Sequence, residues 1–600
     1  MKKTLLLSAL LVWCVVIKAQ EPSILTNGKA NSEECRKWVE EKMSKMNLKE
    51  KIGQLFIHTV APQNTPQNKK NIQNAVKEYK VGGLLFSGGQ LVDQVNLTNF
   101  AQEMAEVPLL LTFDGEWGLA MRLKGTLDFP RNRVLGCIQD NTLLYEYGKE
   151  VARQCREIGV HVNFAPVADV DNNPQNPVIN TRSFGGDPKN VAEKVIAYSQ
   201  GLEEGGVLSV SKHFPGHGDT NVDSHKALPV LNFTRERLDS IELQPFRKAV
   251  SVGLGGVMVG HLEVPKLSAK PASLSNDIIG LLKNELGFKG LIFTDALEMK
   301  GISNNLDVCA RALMAGNDML LAPRNLKREL DGVLNAVKKG TLTEEMITEK
   351  CRKVLVFKYA LGLYQKQFIQ LSGLEHRLNR PEAKELKERL QKAAVTVASN
   401  ATGILPLEMN LKGTAVLNIG KPSEGLVFYK HLNRYLSVDR IQASPDSLVT
   451  LRKRLVKYER VIVAIHTEKY DAYKSLLNTL SDQKPLVYVY LTPLRRMHNK
   501  GAEWKKASAV VLGHSNDKAV QLFVADALVG KETPEGRISV EVEGFLKPGG
   551  GVTLGKESAK VYRPQDYGMD SNILNKIDDI VLEGIKAKRT ENEIRDLQNN

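Results

Sequence analysis

The sequence predicts an α/β protein: a (β/α)8 TIM barrel followed by a three-layer α/β/α sandwich domain. Three observations carry that prediction. Short apolar runs alternate with longer amphipathic stretches over roughly the first half of the 600 residues. The runs are continuously apolar, the pattern of parallel strands buried on both faces. Polar residues collect at one end of the runs, where a barrel of this kind carries its active site.

The runs fall at residues 54–58, 81–86, 108–114, 160–166, 207–213, 256–261, 290–295 and 317–322. Stretches such as 141–158 and 190–204 between them have helical spacing. Eight βα units in about 300 residues match the size of one barrel. At the ends of the runs stand Asp114, Asp169, Lys212, His213, His261, Glu263 and Asp295. From 361 to 380 no strand signal appears, and a helix is expected over 381–398. Strand-like runs return at 413–419, 460–465, 485–491 and 507–513, separated by helical segments, as in an α/β sandwich. This second unit has no GxGxxG and no GxxxxGK[ST], so nothing in it points to nucleotide binding. The Lys547 to Gly551 stretch is a loop. No repeat of 20–50 residues is present, which excludes a solenoid. The expected organisation is a signal peptide over 1–20, a catalytic barrel over 21–365, a linker over 366–385, a sandwich domain over 386–560 and a tail over 561–600.

Composition narrows the function classes. An apolar share of 42% and a charged share of 25% are those of a globular protein. The net charge of +14 lies mostly in the second half. Its basic residues, such as Arg452, Lys453 and Arg454, are scattered and not interleaved with aromatics. That is a solvated basic face, so no nucleic-acid partner is expected. Lys2 and Lys3 precede an apolar run over 5–17, and Ala19 offers a small residue for cleavage, the pattern of a secretory signal. The run is too short to span a bilayer, which takes about 20 residues. Trp13 is too bulky to precede a lipidated Cys14. An exported protein, periplasmic or secreted, without a membrane span is expected. Beyond Cys14 the cysteines are Cys35, Cys137, Cys155, Cys309 and Cys351. Their odd number, wide spacing and lack of any CxxC predict buried free thiols and exclude a zinc knuckle.

The residues richest in chemistry run from Lys212 to His225: three histidines, two aspartates and a lysine on a Gly/Pro-punctuated loop after the fifth run. Three readings stay open on residue type alone. His and Asp can ligate zinc or iron. Asp223 and His225 can form an acid/base dyad in which the carboxylate orients the ring. The loop can also be a hydrogen-bonded scaffold. Asp295, ending the apolar run 290–295, suits a nucleophile or a helix N-cap. Asp114 repeats that arrangement, and Arg182 is suited to gripping a carboxylate, an amide carbonyl or sugar hydroxyls.

Lys212-His213-Phe214-Pro215-Gly216-His217-Gly218-Asp219-Thr220, followed by Asp223-Ser224-His225, resembles the signature of the family-3 glycoside hydrolases, in their β-N-acetylhexosaminidase branch. The resemblance extends over about 45–554. It implies that Asp295 is the nucleophile, His225 the acid/base and Asp223 its partner. It also implies that Asp114, Arg122, Arg182, Lys212 and His213 bind sugar. Gly115-Glu116-Trp117-Gly118 departs from the Gln-Glu-Gly-Gly of many relatives, which bears on the leaving-group side. The implied reaction is retaining hydrolysis of terminal β-linked N-acetylglucosamine from cell-wall or other glycans, through a glycosyl-aspartate, with no metal and no cofactor. The alternatives are a family-3 β-glucosidase, an N-acetylglucosaminide phosphorylase, or a non-catalytic glycan-binding protein on this scaffold. The tail, from Tyr562 to Asp570 and on into an amphipathic helix over 573–588, resembles the truncated start of a serine β-lactamase-like domain. No SxxK follows, so no lactamase activity is expected.

Overall fold

The computed structural model describes residues 20–554 except 224–226, 300–301, 303–306 and 409–412, together with the single positions 576 and 583. His225, residues 1–19 of the expected signal peptide and, apart from 576 and 583, the tail with its expected helix lie outside the described residues.

The eight runs form eight parallel strands: β1 (Phe56–Val60), β2 (Gly83–Phe86), β3 (Leu110–Phe113), β4 (Val162–Asn163), β5 (Leu208–Phe214), β6 (Gly256–Val259), β7 (Leu291–Thr294) and β8 (Leu320–Leu321). Their order is β8-β1-β2-β3-β4-β5-β6-β7. A bridge between Phe293 and Met319, with Thr294 N–H donating to Met319 O at 3.0 Å, brings β7 back to β8 and nearly closes the barrel. β2, β3, β5, β6 and β7 are buried at every residue, which explains runs with no polar alternation. Phe164 and Phe293 meet edge to face at 5.5 Å within the core that includes Leu84, Leu110, Val162 and Val210. The helices Asn141–Glu157 and Pro188–Glu204 cover one side. Asp140 and Asp187 cap them by accepting N–H bonds from Thr142 and from Lys189 and Asn190.

The second domain holds six strands: β9 (Thr396–Ser399), β10 (Thr414–Ile419), β11 (Val438–Gln442), β12 (Arg460–Ile465), β13 (Leu486–Tyr490) and β14 (Ala509–Leu512). The order is β9-β14-β13-β12-β10-β11, parallel except for β9 against β14. Helices pack on both faces, so alternate residues of each strand feed two separate cores and the domain is a three-layer sandwich. Two details differ from the sequence reading. The helix from Pro381 ends at Ala394, because Val395, Thr396 and Val397 are β-branched and continue as β9. β11 was not anticipated: it is an edge strand with only Val438 and Ile441 buried, so its apolar signal is sparse.

The domains meet beside the loops that follow β3 and β4. Ser539 Oγ donates to Arg133 O at 2.8 Å, and Gly186 N–H donates to Ser539 O at 2.8 Å. The Arg133 guanidinium bonds the Asp171 carboxylate and also donates to Arg495 O at 2.9 Å. Cys35, Cys137, Cys155, Cys309 and Cys351 are all free and buried. Among the described residues no helix is long and apolar enough to cross a membrane.

Candidate active site

A cavity of about 470 Å³ opens at the C-terminal ends of the barrel strands, lined by Asp114, Glu116, Arg122, Arg182, Lys212, His213, His217 and Asp295 among others. Six of the eight residues expected in the site therefore share one cavity. Asp223 is half-buried and does not line it; its carbonyl accepts from Ala227 N–H at 3.1 Å.

The first wall is a charge network. Asp114, one residue past β3, accepts from Arg122 Nη2 at 2.8 Å and from Lys212 Nζ at 3.0 Å. Arg122 follows the short turn Leu119–Met121. Lys212 comes from β5 and is itself buried, 3% exposed, while lining the cavity. The same ammonium lies 2.9 Å from Glu116 Oε1. Arg182, closing the turn Asn180–Arg182, grips Glu116 with Nη2 to Oε1 at 2.7 Å and Nε to Oε2 at 2.9 Å. Two carboxylates thus sit among three cations. Burial favours the neutral acids, but Lys212 and Arg122 outweigh it for Asp114 and hold its carboxyl below the usual range. Burial is likewise outweighed for Glu116 by Arg182 and Lys212, which hold its carboxyl well below the usual carboxylate range. Burial would also discharge Lys212, yet Asp114 and Glu116 push its ammonium pKa up. The network stays charged at neutral pH.

The second wall is built around Asp169, fully buried beyond β4. Its Oδ2 accepts from His213 Nδ1 at 2.7 Å, and its Oδ1 accepts the backbone N–H of His213 at 3.2 Å and of His217 at 2.7 Å. A carboxylate only accepts, so Nδ1 of His213 carries a proton, and Nε2 points toward Arg182 Nη2, 3.5 Å away.

Asp295 follows β7. Its N–H donates to Val259 O at 3.0 Å, and its Oδ1 accepts from Ala296 N–H at 2.8 Å. Burial favours the neutral carboxyl, but His213, His261 and the Ala296 N–H together keep it below the usual carboxylate range. Asp295 is therefore ionised at neutral pH. A half-buried, ionised carboxylate facing a cavity lined by Asp, Lys and Arg can attack an electrophilic carbon.

Glu116 and His217 line the cavity and Asp169 supports it, though the sequence reading assigns none of the three a site role. Asp169 stands with the polar residues at the run ends, whereas Glu116 lies two residues past the run over 108–114. Trp117, part of the departing Gly115–Gly118 segment, stacks under Arg131, whose guanidinium lies 4.0 Å from the ring centroid. Among the described residues no group of three or more His, Cys, Asp or Glu side chains is placed to hold a metal ion.

Comparison with known proteins adds an independent line. Residues 47–357 match the model of the glycosyl hydrolase family 3 N-terminal domain. The chain is 28% identical over 440 residues to "Beta-hexosaminidase A" of Pseudoalteromonas piscicida, covering 66% of this chain and 72% of that protein. It is 34% identical over 337 residues to "Beta-hexosaminidase LpqI" of Mycobacterium tuberculosis, covering 52% and 83%. Its fold is similar to that of a solved family 3 β-N-acetylglucosaminidase from Paenibacillus sp. str. FPU-7, with a TM-score of 0.67 and 28% identity over 83% of this chain and 99% of that one.

Proposed function

The chain belongs to glycosyl hydrolase family 3, and from that premise we propose that it is a retaining β-N-acetylhexosaminidase removing terminal β-linked N-acetylglucosamine from cell-wall or other glycans. The observation that carries this reading is the pairing of an ionised Asp295 with the Asp114–Glu116–Arg182–Lys212 network across one cavity. The network supplies acceptors and donors for sugar hydroxyls, and Asp295 supplies the nucleophile. Names of relatives in the hexosaminidase branch support the choice of sugar.

In this mechanism Asp295 attacks the anomeric carbon to form a glycosyl-aspartate. His225 protonates the leaving oxygen, as an imidazole can because its ordinary pKa lies near neutrality, and Asp223 orients its ring. The neutral ring then takes a proton from water, and that water frees the sugar. The basic, apolar and small-residue order of residues 2–19 supports export after cleavage, to a place where a cell-wall glycan would be met.

Turnover of an aryl β-N-acetylglucosaminide tests the proposal. Hydrolysis well above that of the aryl glucoside, and unchanged by added phosphate, is the expected result. Preference for the glucoside would move the chain to the β-glucosidases. Phosphate-dependent release of a sugar 1-phosphate would make it a phosphorylase, and no turnover of either substrate would leave a glycan-binding protein.

A further inference from the structure

His217 is the one histidine of the cavity that the charge network and the nucleophile leave unused. Its backbone is fixed on both sides: the N–H donates to Asp169 Oδ1 at 2.7 Å, and the carbonyl accepts from Asn176 Nδ2 at 2.8 Å. The flanking glycines are required by close approach. A Cβ on Gly218 would lie 1.7 Å from Val170 O, and one on Gly216, at φ +136°, would lie 2.6 Å from Glu242 Cβ. The loop therefore holds His217 in one place, only 2% exposed, with its ring 5.9 Å from the His213 ring and bordering the cavity.

Among the described residues neither Nδ1 nor Nε2 of that ring makes a hydrogen bond, and both are shielded from bulk water. A buried polar group left unsatisfied is costly, so an imidazole on a rigid loop beside a cavity calls for a compensating contact. Burial holds its pKa down to about 4. It is therefore neutral at the pH where Asp295 is ionised, with one nitrogen a donor and the other an acceptor. The torsion about its Cβ–Cγ bond is broad and soft, and the residue lines the cavity.

We infer that His217 is a further substrate-binding residue, whose imidazole hydrogen-bonds a polar substituent, hydroxyl or amide, of the sugar unit that Asp295 attacks. This rests on the reading of the cavity as the sugar site. Asp169 would then serve both histidines, holding the ring of His213 and the backbone of His217, and so placing two sugar contacts with one carboxylate.

The test compares His217→Leu and His217→Gln with the wild type on an aryl β-N-acetylglucosaminide, alongside Kd for N-acetylglucosamine and Tm. Leucine fills similar space without polar atoms; glutamine restores a donor and an acceptor. His217→Leu should lose roughly 10- to 100-fold in kcat/KM, with weaker binding of N-acetylglucosamine. His217→Gln should recover most of that loss. Tm of the leucine variant should be unchanged or higher, because two unsatisfied buried atoms are removed. Wild-type kcat/KM in His217→Leu would overturn the inference. So would a fall in Tm that tracks the loss of activity in both variants, since that marks a structural histidine. Failure of the wild type itself to hydrolyse the aryl substrate would instead sink the hexosaminidase reading.

Discussion

Glu116→Gln is the sharpest test of how the cavity is held together. The Glu116 carboxylate takes four close contacts, three from Arg182 and one from Lys212, and its side chain is fully buried. The amide keeps the shape but has one acceptor oxygen. If that oxygen stays with Arg182 Nη2 and Lys212, the new NH2 faces Arg182 Nε, donor against donor. The substitution also leaves Asp114 as the one carboxylate among Arg122, Arg182 and Lys212. Removing one partner of a buried ion pair typically costs about 3–5 kcal/mol. At about 2–4 °C per kcal/mol for a large domain, the expected fall in Tm is of order 10 °C. Because Glu116's folded pKa is depressed, its stabilisation is present above the unfolded carboxyl pKa of about 4.3 and is lost as pH falls toward the depressed folded value. The Tm gap between wild type and variant, followed by circular dichroism, should be full at pH 7 and narrow below pH 4. A gap under about 2 °C at pH 7, or one that does not change with pH, would refute the argument that this carboxylate neutralises the cations.

Asp295→Asn should abolish glycosyl-enzyme formation with little change in Tm, and a 2-fluoro sugar should label Asp295 in the wild type; mass spectrometry showing another labelled residue would remove the assignment. His225→Ala should spare a dinitrophenyl substrate relative to a natural sugar leaving group by about 10²–10⁴-fold, the usual worth of general acid catalysis, and Asp223→Ala should show the same pattern more weakly. Equal losses on both substrates would take His225 out of that role. Exhaustive chelation should leave kcat/KM unchanged, whereas a loss restored by zinc would return the histidine-rich loop to the metal-ligand reading.

The barrel was legible because its strands are buried on both faces. An unbroken run such as Leu291–Thr294 has no amphipathic pattern to be confused with a surface strand, and the polar residue that ends it marks the site. The sandwich was less legible at its edges. β11 reads Val-Asp-Arg-Ile-Gln with two buried positions, and β9 begins directly after a helix, so neither produces a run. Asp114, Lys212, His213 and Asp295 could be picked out singly because each is a polar group at the end of an apolar segment.

Partnership between those groups was not legible, since it depends on which strands lie side by side. Glu116 and Arg182 are 66 positions apart in the chain, and Asp169 and His213 are 44 apart. Neighbouring parallel strands bring such pairs together at one end of the barrel, where low dielectric makes an unmatched charge costly. That cost orders the site. Asp114 and Glu116 both leave β3 as anions, so the cations that answer them must come from elsewhere: Arg122 from the same loop, Arg182 from the loop after β4, and Lys212 from β5. Once matched, the five charged groups fix one another's positions, and a sugar entering the cavity meets donors and acceptors already in place. His217 is left out of this matching: its backbone is bonded on both sides, and among the described residues neither of its ring nitrogens is bonded. A ring held in place by its main chain alone contributes little to the free fold through its nitrogens, and its loss should therefore register in binding before it registers in stability.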